Sequence, residues 1–93
     1  MASSGVPSTL LCIVDHESQG QQFDSKGNPL ISHTGDVGIG QLNLKTWGPL
    51  AKKMGLDIRN SAQDNLEMTI YLYRTQGPQI WSTYKPYCAG SET

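Results

Sequence analysis

The stretch GDVGIGQLNLKTW, residues 35 to 47, restricts this chain more than any other. Gly35, Gly38 and Gly40 fall within six positions. Glycines at that density are used where the backbone bends tightly or passes close to something else. The chain has 93 residues, which is one small domain. A fold built from this sequence must therefore place a non-helical excursion near its middle and find its regular structure on either side.

The flanking segments read as helices. Over residues 8 to 19, Leu10, Ile13, Val14 and Glu17 recur at i, i+3, i+4 and i+7 and form one stripe at helical period. Ser8 after Pro7 is a candidate N-cap, and Gly20 supplies a stop. Glu17 continues the apolar face, while Asp15 and His16 point elsewhere. Residues 21 to 41 read as turns with a short irregular hairpin. A second helix is expected from about Thr46 to Lys53, with Pro49 tolerated early and Gly55 after its end. The third has a capping pair in Ser61 and Asp64, followed by an inward stripe of Leu66, Thr69, Ile70 and Tyr73. Gln76-Gly77-Pro78 ends it, and Ile80, Trp81 and Tyr84 form a last helix or turn that closes the core near Cys88. The expected class is mainly α, an α+β domain over residues 8–93 with a short loop or β excursion between helices 1 and 2. Residues 1–7, MASSGVP, read as a flexible leader.

Charge excludes several functions. With 7 basic and 8 acidic residues, the chain lacks the basic stripe that nucleic acid requires. Its longest apolar run, Leu10 to Val14, is far too short to cross a bilayer and lacks the basic flank and cleavage site of a signal peptide. Cys12 and Cys88 show neither a CxxC nor a Cys/His metal spacing. They are either a disulfide or two buried thiols. As a disulfide they would close a long loop, contributing about 4–5 kcal/mol in the chain-entropy account.

Glu17 is the first candidate for chemistry. A carboxylate on an apolar helix face loses hydration, which disfavours its charged form and raises its pKa. Such a group can hold a proton near neutrality and donate it to a leaving oxygen. The alternative is a structural Glu held by backbone or arginine hydrogen bonds. Asp36, at the front of the glycine loop, is either a second carboxylate or the organiser of an Asx turn. His16 and His33 form no triad or metal pattern. Trp47, just past the glycines, is the aromatic candidate for stacking on a ligand, whereas Trp81 belongs to the core.

Three pieces in order carry a resemblance: Glu17-Ser18 at a helix end, Ser32 with Gly35 to Gln41, and Asn65 ahead of Tyr71-Leu72. Over residues 10 to about 75 the chain resembles the lysozyme superfamily, and within it the soluble (SLT-type) lytic transglycosylases and goose-type lysozymes. The segment from Asp36 to Asn43 is also similar to the one that carries the second carboxylate of animal c-type lysozymes. The resemblance implies a lysozyme-like fold that cleaves the β-1,4 bond between N-acetylmuramic acid and N-acetylglucosamine in peptidoglycan. It aligns Glu17 with the catalytic acid and Gln41 with the glutamine that lines the glycan cleft. Asn65 matches the asparagine near the cleaved bond, and Ser32 belongs to the loop motif. Gly38, Ile39 and Gly40 would form the cleft wall, where missing side chains admit a sugar ring. The implied partner is a glycan strand met by a monomer in an exported or phage-delivered setting, with no metal or organic cofactor. One feature departs from the family. A late Ala-Tyr-Asn-x-Gly motif, whose tyrosine supports the acid, is replaced by TQGPQIWSTYKPYC. Tyr71, Tyr73, Tyr84 and Tyr87 are available in its place. The competing class is a glycan-binding module that keeps the fold without turnover.

Overall fold

The computed structural model describes residues 6–90. The leader expected over residues 1–7 thus lies outside the described residues up to position 5. Val6 already packs into the core, so the ordered domain starts before Ser8.

The first helix, α1, runs Ser8–Ser18. Its cap position is Pro7 rather than Ser8, with no side-chain cap bond, and Leu11 N–H reaches Pro7 C=O at 3.0 Å. Proline's fixed φ sets the entry angle that a capping serine would otherwise secure. The helix ends on Gln19, which takes the left-handed conformation at φ 55°. Leu10, Ile13 and Val14 are buried and Glu17 is half-buried, as the stripe requires, while Asp15 and His16 are exposed.

Residues 21–43 are irregular apart from a two-stranded antiparallel ribbon, β1 (Asp36–Val37) and β2 (Leu42–Asn43), with Asp36 opposite Asn43 and Val37 opposite Leu42. Isolated bridges join Phe23 to Pro29 and Ile31 to Val37. Helix α2, Leu44–Lys53, begins two residues before the expected Thr46. Asn43 caps it, accepting from Thr46 N–H at 2.9 Å, so the last residue of β2 also opens α2.

Helix α3, Ala62–Gln76, starts as expected on Ser61, whose hydroxyl accepts from Asp64 N–H at 3.1 Å. Its buried stripe is Asn65, Met68, Thr69 and Leu72, whereas Leu66, Ile70 and Tyr73 border the core half-buried. Only Thr69 belongs to both the expected and the observed stripe. The helix is rotated because Asn65, a polar residue, is drawn to the centre by hydrogen bonds. A 3₁₀ turn, Pro78–Ile80, and a π-helical turn, Tyr84–Cys88, close the chain, and the π turn packs along α1.

Leu10, Ile13, Leu42, Met68 and Leu72 are fully buried, each contributing about 1.5–3 kcal/mol of transfer free energy. Cys12 and Cys88 form a disulfide with a Cα–Cα distance of 5.8 Å, joining α1 to the π turn across 76 positions. The fold is a mainly helical α+β domain with a small two-stranded sheet. No described helix is long and apolar enough to cross a membrane.

Candidate active site

The glycine segment runs through the interior. Val37, Gly38, Ile39 and Gly40 are all buried, so their backbone groups need partners away from water. A two-residue ribbon cannot supply them, and side chains do so instead. Ser18 Oγ donates to Ile39 C=O at 2.6 Å, while Gln22 Oε1 accepts from Ile39 N–H at 3.1 Å. Asn65 Oδ1 accepts from Gly40 N–H at 2.9 Å, and Asn65 Nδ2 donates to Val37 and Ile58 carbonyls at 3.0 and 2.8 Å. Trp81 Nε1 donates to Gly40 C=O at 2.8 Å. Among the described residues, no buried side-chain nitrogen or oxygen lacks a hydrogen bond.

This arrangement revises several expected roles. Asn65 is fully buried with its amide committed to backbone, so it holds the loop and presents nothing to a ligand. The glycines admit the protein's own clamps rather than a sugar. A Cβ on Gly38 would lie 2.2 Å from Gln22 Oε1 and 2.5 Å from Asn65 Nδ2, and one on Gly40 would lie 2.1 Å from Thr69 Oγ1. Gly38, Ile39 and Gly40 are therefore buried against these side chains instead of lining an open cleft wall. Gln41, at φ 45°, folds its amide nitrogen onto the carbonyls of Leu30 and Gly38 at 3.2 and 3.0 Å. Its donor is taken up by the loop. Trp47 packs half-buried against the core from α2, and Trp81 is buried as expected.

Ser18, one residue past Glu17, ties the end of α1 to this segment and thereby fixes where Glu17 lies. Thr83 Oγ1 donates to Glu17 Oε2 at 2.8 Å. Burial raises the Glu17 pKa above its ordinary value; the Thr83 hydrogen bonds oppose that, and the negative charge of Asp36 adds to it. The hydroxyl that reaches the Glu17 carboxyl is that of a threonine and not of a tyrosine. Nothing in the local pattern singles out Thr83; the only signal is its place between two anchored residues, Trp81 and Cys88.

Asp36 behaves oppositely. Burial pushes its pKa up, but hydrogen bonds from Thr34, Asn43 and Ser32 outweigh this and hold the carboxyl below its usual range, with His33 assisting. Thr34 Oγ1 and Ser32 Oγ donate to Oδ2 at 2.6 and 3.1 Å, and Asn43 Nδ2 donates to Oδ1 at 3.0 Å. Ser32 also accepts from Asp36 N–H at 3.1 Å, so it builds the turn that holds the carboxylate. Asp36 thus organises its loop and supplies a standing negative charge felt at Glu17. Two carboxyl groups are pushed apart in pKa by different surroundings, a division that suits one to carry a proton and the other to stay ionised.

A cavity of about 270 Å³ is lined by Gln79, Trp81, Ser82, Tyr84 and Lys85. Its lining includes neither Glu17 nor Asp36. Among the described residues one cluster has the side chains of a metal site, Cys12, His16 and Cys88, but both sulfurs are taken by the disulfide. No protein family, curated protein or solved structure matches the chain.

Proposed function

We propose that this domain is a lysozyme-like glycosidase that cleaves the β-1,4 linkage of peptidoglycan, with Glu17 as its acid. The observation that supports this reading is the pair of opposed carboxyl groups: Glu17 raised by burial and Asp36 held ionised by three hydrogen bonds. Protonated Glu17 gives its proton to the glycosidic oxygen as the C1–O bond breaks. The positive charge developing on the sugar ring is stabilised by the Asp36 carboxylate. Asp36 acts through charge, because both its oxygens are already accepting hydrogen bonds from the loop. Glu17, now a carboxylate, then takes a proton from the incoming nucleophile. That nucleophile is water in a hydrolase, leaving a reducing end, or the muramic acid 6-hydroxyl in a transglycosylase, leaving a 1,6-anhydro end.

Wall clearing by Glu17→Gln compared with the unaltered protein tests the assignment. A loss of at least about a hundredfold is expected for a general acid, and equal rates would overturn it. Mass spectrometry of the released fragments separates the two nucleophiles. The replacement of the late Ala-Tyr-Asn-x-Gly motif by TQGPQIWSTYKPYC favours a second reading, a module that binds glycan without cleaving it. Under that reading both proteins bind walls and neither releases fragments.

A further inference from the structure

The disulfide has a neighbour that the proposed chemistry does not use. His16, one residue before Glu17, is exposed on α1 and stacks on Tyr87 with ring centroids 4.4 Å apart and planes 12° from parallel. Its Nδ1 lies 2.9 Å from Cys12 C=O, which makes Nδ1 the protonated ring nitrogen. The same atom is 3.7 Å from Cys12 Sγ and 3.9 Å from Cys88 Sγ. The nitrogen whose N–H is given to Cys12 C=O therefore stands almost equidistant from both sulfurs. The sulfurs themselves differ, since Cys12 is half-buried whereas Cys88 is fully buried. In thiol–disulfide exchange, access decides which sulfur is attacked, and stabilising the departing thiolate speeds its release.

The bond also has a mechanical position. The segment from Trp81 to Cys88 is anchored at one end by Trp81 Nε1 on Gly40 and at the other by the disulfide. Thr83, which holds Glu17, lies between these anchors. Cutting the second anchor leaves the π turn attached to α1 by noncovalent contacts alone.

We propose that Cys12–Cys88 is a reactive disulfide, opened by small dithiols at Cys12, and that its opening slackens the strap that positions Thr83 on Glu17. A dithiol thiolate attacks Cys12 Sγ. The S–S bond breaks and Cys88 leaves as a thiolate 3.9 Å from His16 Nδ1, whose N–H turns from Cys12 C=O to meet it. The dithiol's second thiol then attacks the mixed disulfide, releasing Cys12 and leaving the reagent as a cyclic disulfide. Two protein thiols are formed, and two electrons come from the dithiol. The exchange step is independent of what Glu17 does; the gating step rests on Glu17 being the catalytic acid of wall cleavage.

The experiment treats the full chain with dithiothreitol under native conditions, quenches with iodoacetamide and counts alkyl groups by mass. A parallel incubation with glutathione is mapped for the mixed disulfide. The expected result is reduction at a rate proportional to dithiothreitol and flat in sub-denaturing urea, with the glutathione adduct on Cys12. His16→Phe, which keeps an aromatic ring on Tyr87 but removes the N–H, is expected to slow reduction about tenfold. The reduced protein is expected to keep its helical circular dichroism and to clear walls about tenfold more slowly, recovering on reoxidation. A reduction rate that climbs with urea, an adduct on Cys88, or an unchanged rate in His16→Phe overturns the exchange step. Collapse of the helical signal on reduction, or equal clearing by reduced and oxidised protein, overturns the gating step. If even the oxidised protein and Glu17→Gln clear walls equally, the wall-cleaving reading fails while the exchange kinetics stand or fall by themselves.

Discussion

Replacing Asn65 by alanine removes four hydrogen bonds from the centre of the domain at once, the weakest of them from Thr69 Oγ1, which keeps Asn65 C=O at 2.7 Å. Gly40 N–H loses its acceptor, and the Val37 and Ile58 carbonyls each lose a donor. Ile58 keeps a bond from Gln22 Nε2 at 2.9 Å, so its loss is the smallest. An orphaned buried donor costs about 1–3 kcal/mol and each lost carbonyl bond about 0.5–1.5 kcal/mol, for about 2–6 kcal/mol together. A domain of this size has about 5–15 kcal/mol in total. The expected result in urea denaturation is a midpoint shifted down with an unchanged slope. Thermal unfolding should fall by about 8–48 °C, at 4–8 °C per kcal/mol. If Asn65 instead touched the substrate, the same variant would keep its midpoint to within about 1 kcal/mol and raise the KM for wall fragments. That outcome would refute the placement of Asn65 as the clamp of the glycine segment.

Other substitutions probe neighbouring contacts. Gly40→Ala should destabilise by about 2–4 kcal/mol through overpacking, because the new Cβ meets Thr69 Oγ1 at 2.1 Å. Combining it with Thr69→Ala should recover about 1–2 kcal/mol relative to the sum of the single changes, measured as a double-mutant cycle. Glu17, with its pKa raised on folding, contributes stability that is fully present below its ordinary 4.5 and is lost as pH rises through the higher folded value. Glu17→Gln should therefore be more stable than the parent at pH 7, with the gain shrinking as pH falls through the raised folded value and gone below pH 4.5 in urea titrations. Asp36 has the opposite sign: its contribution is present above 3.8 and is lost as pH falls through its lowered folded pKa, so Asp36→Asn should flatten the acid limb. Thr83→Val removes a bond that lowers the Glu17 pKa, so the alkaline limb of the activity profile should move to higher pH and kcat should fall about tenfold. Thr83→Ser should restore both, and a lost rate without a shifted limb would deny Thr83 its positioning role.

Local patterns make the helices legible in the sequence. The stripe Leu10, Ile13, Val14 and Glu17 is a statement about angle around one axis, and Ser61 with Asp64 is a cap closed within four residues. The three glycines announce a close approach, and the cysteines announce two alternative states. What these signals lack is a partner. Gly38 and Gly40 are small because Gln22, Asn65 and Thr69 come close, not because a ligand does. The inward face of α3 is not legible in the same way, because apolar periodicity ranks a buried asparagine as surface. Its burial is favoured only when a loop 25 positions away presents an unpaired N–H.

By sequence alone, this chain determined a mainly helical domain broken by a glycine segment, with one acidic residue on an apolar stripe. Only the tertiary structure decided that Asn65 serves the loop, that Thr83 holds Glu17 from 66 positions away, and that Cys12 and Cys88 tether the segment between them. Periodicity is a property of neighbours along the chain, whereas desolvation and hydrogen bonding depend on which distant groups the fold brings into contact.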